Sequence, residues 1–255
     1  MPLLALTRAL SPRIAECELT HLGRSPIDVE RARAEHAAYE AALRALGCAV
    51  ERVPAAPELP DSVFIEDTVV VLDELAVICR PGAESRRPET AGVAAALRAF
   101  RPLAAVLAPG TLDGGDVLRV GRRLLVGRSA RTNDAGIRQL RSIVSSQGYE
   151  VVAVPFSGCL HLKTAATLVA DDVALVNPAW VKVAALAPLR TIAVDAAEPF
   201  GANALRVGDA VVYPSEFPRT IARLAAEGIT VRTVPAGELA KAEGGVTCCS
   251  VLFTV

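Results

Sequence analysis

The sequence predicts an α/β fold in which five repeated units close into a ring. Three observations lead there. Four segments share one pattern of apolar run, polar turn and second apolar run: DTVVVLDELAVICRPG (67–82), DVLRVGRRLLVGRSA (116–130), TLVADDVALVNPA (167–179) and NALRVGDAVVYPSE (203–216). Each is followed by a helix-like stretch and a further strand. A fifth helix–strand pair near the start has no hairpin in front of it, and the two chain ends can supply one. An ordinary α+β domain with several hairpins is the alternative that pattern alone leaves open. A period of roughly 40–50 residues is that of closed radial arrays and solenoids.

Taken in order, MPLLALTRAL reads as a strand; it lacks the basic leader of a signal peptide. PIDVERARAEHAAYEAALRALGCAVERVP reads as helix then strand. LDE, GRR, DD and GD are the turns of the four hairpins. NDAGIRQLRSIVSSQGYEVVAVP reads as N-cap, amphipathic helix, glycine stop and strand, and FPRTIARLAAEGITVRTVP reads the same way. RPETAGVAAALRAFRPLAAVLAP follows that scheme, as does WVKVAALAPLRTIAVD with a shorter helix. The closing SVLFTV pairs with LLALTRAL as a clasp, and the axis of the ring becomes the natural place for a site. The whole chain, 1–255, is expected to form a single domain.

Composition agrees with a large buried core. Of 255 residues, 52% are hydrophobic and 22% charged, and the net charge is -1. No basic patch argues for nucleic acid, and no apolar run approaches the ~18 residues of a membrane span. Six cysteines without a C-x-x-C pair suggest reduced thiols in a cytoplasmic setting.

Four loops carry more than turn chemistry. LPDSVFIEDTVVV places Asp61, Glu66 and Asp67 at the entry of an apolar strand; in a strand, the adjacent Glu66 and Asp67 point to opposite sides. Acids so paired repel unless a cation lies among them. PGTLDGGDVLRV opens the second repeat with a tight turn, its glycines supplying positive φ. His161, in Leu-His-Leu, is one of three histidines, and on its own fits a core position better than a catalytic one; His21 and His36 receive no role. In EGGVTCCSVLFTV, read as a strand, Cys249 shares a uniformly apolar face with Val251, Phe253 and Val255, whereas Cys248 lies on the face that begins polar. A reactive thiol needs partial exposure, so Cys248 fits a nucleophile and Cys249 the core. Arg86 and Arg131 occupy equivalent places after two successive hairpins and suit a bidentate grip on a carboxylate.

If the strand entries of the ring face one axis, these residues converge. Cysteine, histidine and an acid supply a nucleophile, a proton shuttle and an orienting group. The remaining acids suit a cation and the arginines a carboxylate, which together describe an amino acid with a basic side chain. At this point the chain resembles the dimethylarginine dimethylaminohydrolases, within the superfamily of five-bladed α/β propellers (penteins) that modify guanidino groups. The resemblance runs through RALSPRI, ERARAEHAAYEAAL, LPDSVFIEDTVVV, ICRPGAESRR, TLDGGDVL, GRSARTN, HLKT and GGVTCCSVL, in matching order and spacing.

The resemblance implies that Cys248 is the nucleophile, His161 the general acid and base, and Asp113 the carboxylate that orients the histidine, where relatives often carry Glu. It implies that Glu66 and Asp67 face the guanidinium, that Asp61 belongs to the substrate site, and that Arg86 and Arg131 hold the α-carboxylate and its neighbourhood. Leu19, in an N-terminal loop, and Ala242 align with substrate contacts. The implied reaction turns methylated arginine into citrulline and an amine through a covalent cysteine adduct. It needs no cofactor and no metal; the implied partner is a small-molecule substrate, and the protein is a monomer or homodimer. Deiminases and amidinotransferases on the same scaffold, and a non-catalytic binding ring, are the alternatives.

Overall fold

In a computed structural model, which describes residues 3–255, the chain forms five three-stranded sheets arranged as the blades of a ring. Each has the same plan, an antiparallel pair followed by a parallel third strand. In the first blade the pair joins the two chain ends: β1 (Leu3–Thr7) runs antiparallel to β15 (Val251–Thr254) and parallel to β2 (Ala49–Arg52). The clasp expected of the termini is therefore present; Met1 and Pro2, at the start of the stretch read as a strand, lie outside the described residues. The other blades follow the chain: β3 (Val69–Val71), β4 (Ala76–Ile78) and β5 (Leu103–Ala105); β6 (Val117–Val120), β7 (Arg123–Arg128) and β8 (Glu150–Pro155); β9 (Ala166–Ala170), β10 (Val173–Val176) and β11 (Arg190–Ala193); β12 (Leu205–Val207), β13 (Ala210–Pro214) and β14 (Thr230–Val234).

The central strands explain why the hairpins read as unbroken apolar runs. Successive side chains on a strand point to opposite faces, and here both faces are covered by neighbouring blades. Leu124 and Val126 of β7 enter one apolar cluster, shared with β4 residue Val77, while Leu125 enters another with Ala174 and Val176. Val211 and Tyr213 of β13 pack with Leu175, and Val212 packs with Ala5 across the closure. Leu4 and Leu6 face Val69 and Ala76. Five clusters thus seal the five blade boundaries. Each buried Leu or Val contributes about 1.5–3 kcal/mol, so no blade is stable without its neighbours.

Helices cover the outer strands. In α1 (Val29–Ala45) the Asp28 side chain caps the Arg31 N–H, and in α3 (Asp134–Val144) Asn133 caps Gly136. Before α2 (Thr90–Leu97) the chain makes a short 3₁₀ segment, Glu84–Glu89. The helix expected in WVKVAALAPLR is only a 3₁₀ turn, Val183–Leu186, cut short by Pro188. α4 (Leu162–Ala165) is a single turn after His161; α5 (Pro218–Ala226) opens with its proline at the first position. α6 (Gly237–Ala240) precedes the cysteine pair, its first N–H groups accepted by buried Glu35 of α1. Among the described residues, no helix is long and apolar enough to cross a membrane.

Candidate active site

The strand entries meet on one face, and what lies there is mostly turn rather than strand. Glu66 and Asp67 sit in a 3₁₀ turn, Ile65–Thr68, and Asp113 immediately precedes another, Gly114–Asp116. The glycines of DGGD are not required for positive φ; among the described residues with that backbone, neither Gly114 nor Gly115 appears. They are required for close approach. A Cβ on Gly114 would lie 2.1 Å from the Glu66 carbonyl, and one on Gly115 would lie 2.7 Å from both Asp67 Oδ1 and His161 Nδ1. The third blade's entry is pressed against the second's, and only a missing side chain allows it.

The cysteines depart from expectation too. They lie in the turn before β15, which begins only at Val251, so strand alternation does not separate them. Their surroundings do. Cys249 is 1% exposed in the core of the blade closure, and its Sγ approaches the Gly245 carbonyl at 3.6 Å. Cys248 is 9% exposed and lines a narrow cleft with Asp61, Asp67, Arg86, Arg131, His161 and Ala242. Its sulfur accepts the Gly245 N–H at 3.3 Å. Burial, then the charges of Glu66 and Asp67, push its thiol up to about 12.

His161 is gripped from both ring nitrogens. Nε2 lies 3.1 Å from Asp113 Oδ2, and Nδ1 lies 3.7 Å from Asp67 Oδ1. Burial alone would lower its pKa, but Asp67, Asp113 and the nearby Asp116 overcome this and raise it to about 9. The imidazolium is therefore the resting form at neutral pH. Asp67 is the counterpart: burial opposes its ionisation, yet His161 and Arg86 bring it down to about 2. Asp67, Asp113 and His161 could offer three metal-ligating atoms within 4.8 Å of one another, but with His161 protonated the positive charge there is already supplied. Asp116 had no role in the sequence reading. It accepts the Leu162 N–H and the Ser129 hydroxyl and so fixes the start of α4 behind His161, while burial lifts its pKa to about 6.

The two arginines, equivalent in sequence, differ in the structure. Arg86 donates to both Glu89 oxygens (3.1 and 2.9 Å), to Asp67 Oδ2 (2.6 Å) and to the Phe64 carbonyl (3.0 Å), all buried. Its guanidinium is spent on the protein. Arg131 donates one Nη2 hydrogen bond to Thr20 Oγ1 at 3.0 Å, and its buried Nη1 has no hydrogen-bond partner. Glu66 is turned away from Asp67, accepting Lys163 Nζ at 2.6 Å and the Thr247 hydroxyl at 2.7 Å. Asp61 accepts the Glu18 N–H, and burial raises its pKa against the pull of Arg86. Leu19 packs against the apolar cluster of the blade closure and does not line the cleft; its neighbour Glu18 does.

The 18–22 loop is tied down beside the cleft, which Glu18 lines. Glu243, in the left-handed region at φ 58°, accepts the backbone N–H groups of Thr20, His21 and Leu22. The space at Cys248 is about 10 Å³, room for about one water, so a larger molecule reaches the thiol only after the cleft widens. The thiol makes a testable statement: alkylation of Cys248 in the free protein should rise with pH only well above the ~8.5 of an ordinary thiol, and a midpoint below that value would contradict the buried, acid-flanked geometry.

Comparison with known proteins agrees with this arrangement. Residues 23–185 match the family model for N,N dimethylarginine dimethylhydrolase, eukaryotic. The chain is 44% identical to N(G),N(G)-dimethylarginine dimethylaminohydrolase of Streptomyces coelicolor, over 97% of this chain and 95% of that protein. Among solved structures it superposes on a cysteine-to-serine variant of the Pseudomonas aeruginosa enzyme in complex with citrulline, with TM-score 0.94 and 32% identity over 99% of this chain and 100% of that one. It also superposes on a histidine-to-glycine variant of a dimethylarginine dimethylaminohydrolase, an adduct with S-methyl-L-thiocitrulline, with TM-score 0.93, 32% identity and the same coverage.

Proposed function

The chain belongs to the dimethylarginine dimethylaminohydrolase family, and from that premise we propose that it hydrolyses Nω,Nω-dimethyl-L-arginine, and the monomethyl form, to L-citrulline and dimethylamine or methylamine. The observation that carries this reading is the shared cleft: a buried thiol and an imidazolium stand beside ionised Asp67 and an arginine nitrogen that has no hydrogen-bond partner and meets Asp113 only as an ion pair at 4.0 Å. The acids suit the guanidinium end of the substrate, and Arg131 suits its carboxylate.

The resting charges set the order of events. The Cys248 thiol, near 12, is neutral. A guanidinium brought between it and the acids supplies the positive charge that burial and Glu66 deny it, and the thiol gives its proton to solvent. The thiolate attacks the central guanidinium carbon. His161, already protonated at a pKa of about 9, gives its proton to the departing dimethylamine as the C–N bond breaks, leaving an amidino–cysteine adduct. The now neutral imidazole takes a proton from water, whose oxygen attacks the same carbon; as the C–S bond breaks, the new C–OH gives its proton to solvent and becomes the C=O of citrulline, and the freed thiolate takes a proton back from solvent once the cation has gone. Asp113 holds the ring through Nε2 and stabilises its charged form. Arg86 holds Asp67 in place rather than touching the carboxylate.

The whole chain, 1–255, acts as one catalytic domain, as a monomer or homodimer. Its six free thiols suit a reducing cytoplasm. Two experiments test the reading. Purified protein should release citrulline and dimethylamine from asymmetric dimethylarginine and little from plain arginine; preference for arginine would make it a deiminase. Arg131→Met should forfeit a charged hydrogen bond of about 1.5–3 kcal/mol, raising KM for the amino acid by about 10–150-fold with a smaller effect on kcat. An unchanged KM would remove Arg131 from the carboxylate.

A further inference from the structure

We propose that Asn203 is a positioning residue that locks the nucleophile turn to the His161 turn, the contribution of the fifth blade to the site. The first four strand entries supply Cys248, Asp67, Asp113 and His161; the fifth, ahead of β12, carries no residue of the proposed mechanism. Asn203 stands there, 6% exposed. Its Oδ1 accepts the N–H of Thr247, next to the nucleophile, at 3.1 Å. Its Nδ2 donates to the Thr247 hydroxyl at 3.0 Å and to the Lys163 carbonyl, two residues beyond His161, at 3.1 Å. Both polar atoms of the amide are thus engaged, three bonds in all.

These bonds close a ring of contacts. Thr247 donates its hydroxyl proton to Glu66 Oε2 and accepts from Asn203, while Lys163 Nζ donates to Glu66 Oε1. Four segments from separate blades are joined through one amide and one carboxylate. The fit is close: a Cβ on Gly245 would lie 2.4 Å from Asn203 Oδ1. Gly245 is also the residue whose N–H reaches the Cys248 sulfur. Buried networks of this kind hold geometry only while every member is satisfied. Without Asn203 the turn bearing Cys248 loses its register with His161, and a misplacement of about 1 Å can cost about 10²-fold in rate.

This rests on Cys248 and His161 being the reacting pair. The test is Asn203→Ala, Thr247→Val and their combination, with kcat, KM and thermal midpoint measured for each. Asn203→Ala should lose about 10²-fold in kcat with KM little changed, and the double variant should lose less than the product of the two single losses, because either substitution breaks the Asn203–Thr247 link. Unchanged kcat per folded molecule, or losses that multiply, would overturn the proposal. If the wild-type protein turns over no methylated arginine, it is the reaction that fails, and alkylation of Cys248 by iodoacetamide carries the test. Faster labelling in folded Asn203→Ala supports the positioning role, and unchanged labelling refutes it.

Discussion

Cys248→Ser should lose citrulline formation by about 10⁵–10⁶-fold, the scale seen when a nucleophile acting as part of a unit is removed, whereas Cys249→Ser should keep most of its kcat. Steady-state assays of the two variants side by side decide this. The asymmetry follows from placement. Cys248 lines the cleft with His161 and Asp67, while Cys249 lies in the core of the blade closure with its sulfur toward the Gly245 carbonyl. Cys249→Ser brings a hydroxyl into an apolar setting, which costs about 1–3 kcal/mol, so its effect should appear in the thermal midpoint. Equal loss of activity in both variants would show that the turn, not one thiol, is what the reaction requires.

Arg86→Met should be the most destabilising single change near the site. Arg86 neutralises Asp67 and Glu89, each 2% exposed. Removing one partner of a buried ion pair strands the other, at a cost of about 3–5 kcal/mol. Here two carboxylates are stranded, and each would be driven towards protonation. The sign with pH is fixed by Asp67, whose pKa is held at about 2 against an ordinary 3.8. That stabilisation is present above the ordinary value and is lost as pH falls through about 2, so the variant should differ most from wild type near neutrality and least in acid. Chemical denaturation at two pH values measures this. A variant of native stability with only a raised KM would instead return Arg86 to the substrate carboxylate.

The ring was legible in the sequence because its central strands bury both faces, which turns each hairpin into a continuous apolar run that stands out from the turns. The terminal clasp was legible by elimination, since one helix–strand pair lacked its hairpin. α3 and α5 announced themselves through Asn133 and Pro218 at their starts and Gly148 and Gly228 after their ends, both glycines with positive φ. The fourth blade's helix was not legible as a mere turn, because Val-Ala-Ala-Leu reads as helix until packing and Pro188 limit it. At the site, residue type was easier to read than cause. Strand alternation does not set Cys248 apart, because β15 begins three residues later, at Val251. Gly114 and Gly115 looked like turn glycines and are contact glycines, since nothing local reveals that Glu66 and His161 press on them. Arg86 and Arg131 look alike in sequence; their divergence depends on Asp67 and Glu89 meeting one of them in space. Asn203 was hidden for the same reason: an asparagine after Gly-Ala reads as a turn, and its partners lie 40 and 44 residues away.

The claim that Cys248 carries the substrate's amidino group is tested most directly by quenching the protein in acid during turnover of dimethylarginine and sequencing the C-terminal peptide by mass spectrometry. The added mass should sit on Cys248, and it should vanish when the substrate is exhausted. An adduct on Cys249, or full turnover with no adduct on either sulfur under a quench that captures the steady state, would contradict covalent catalysis by Cys248.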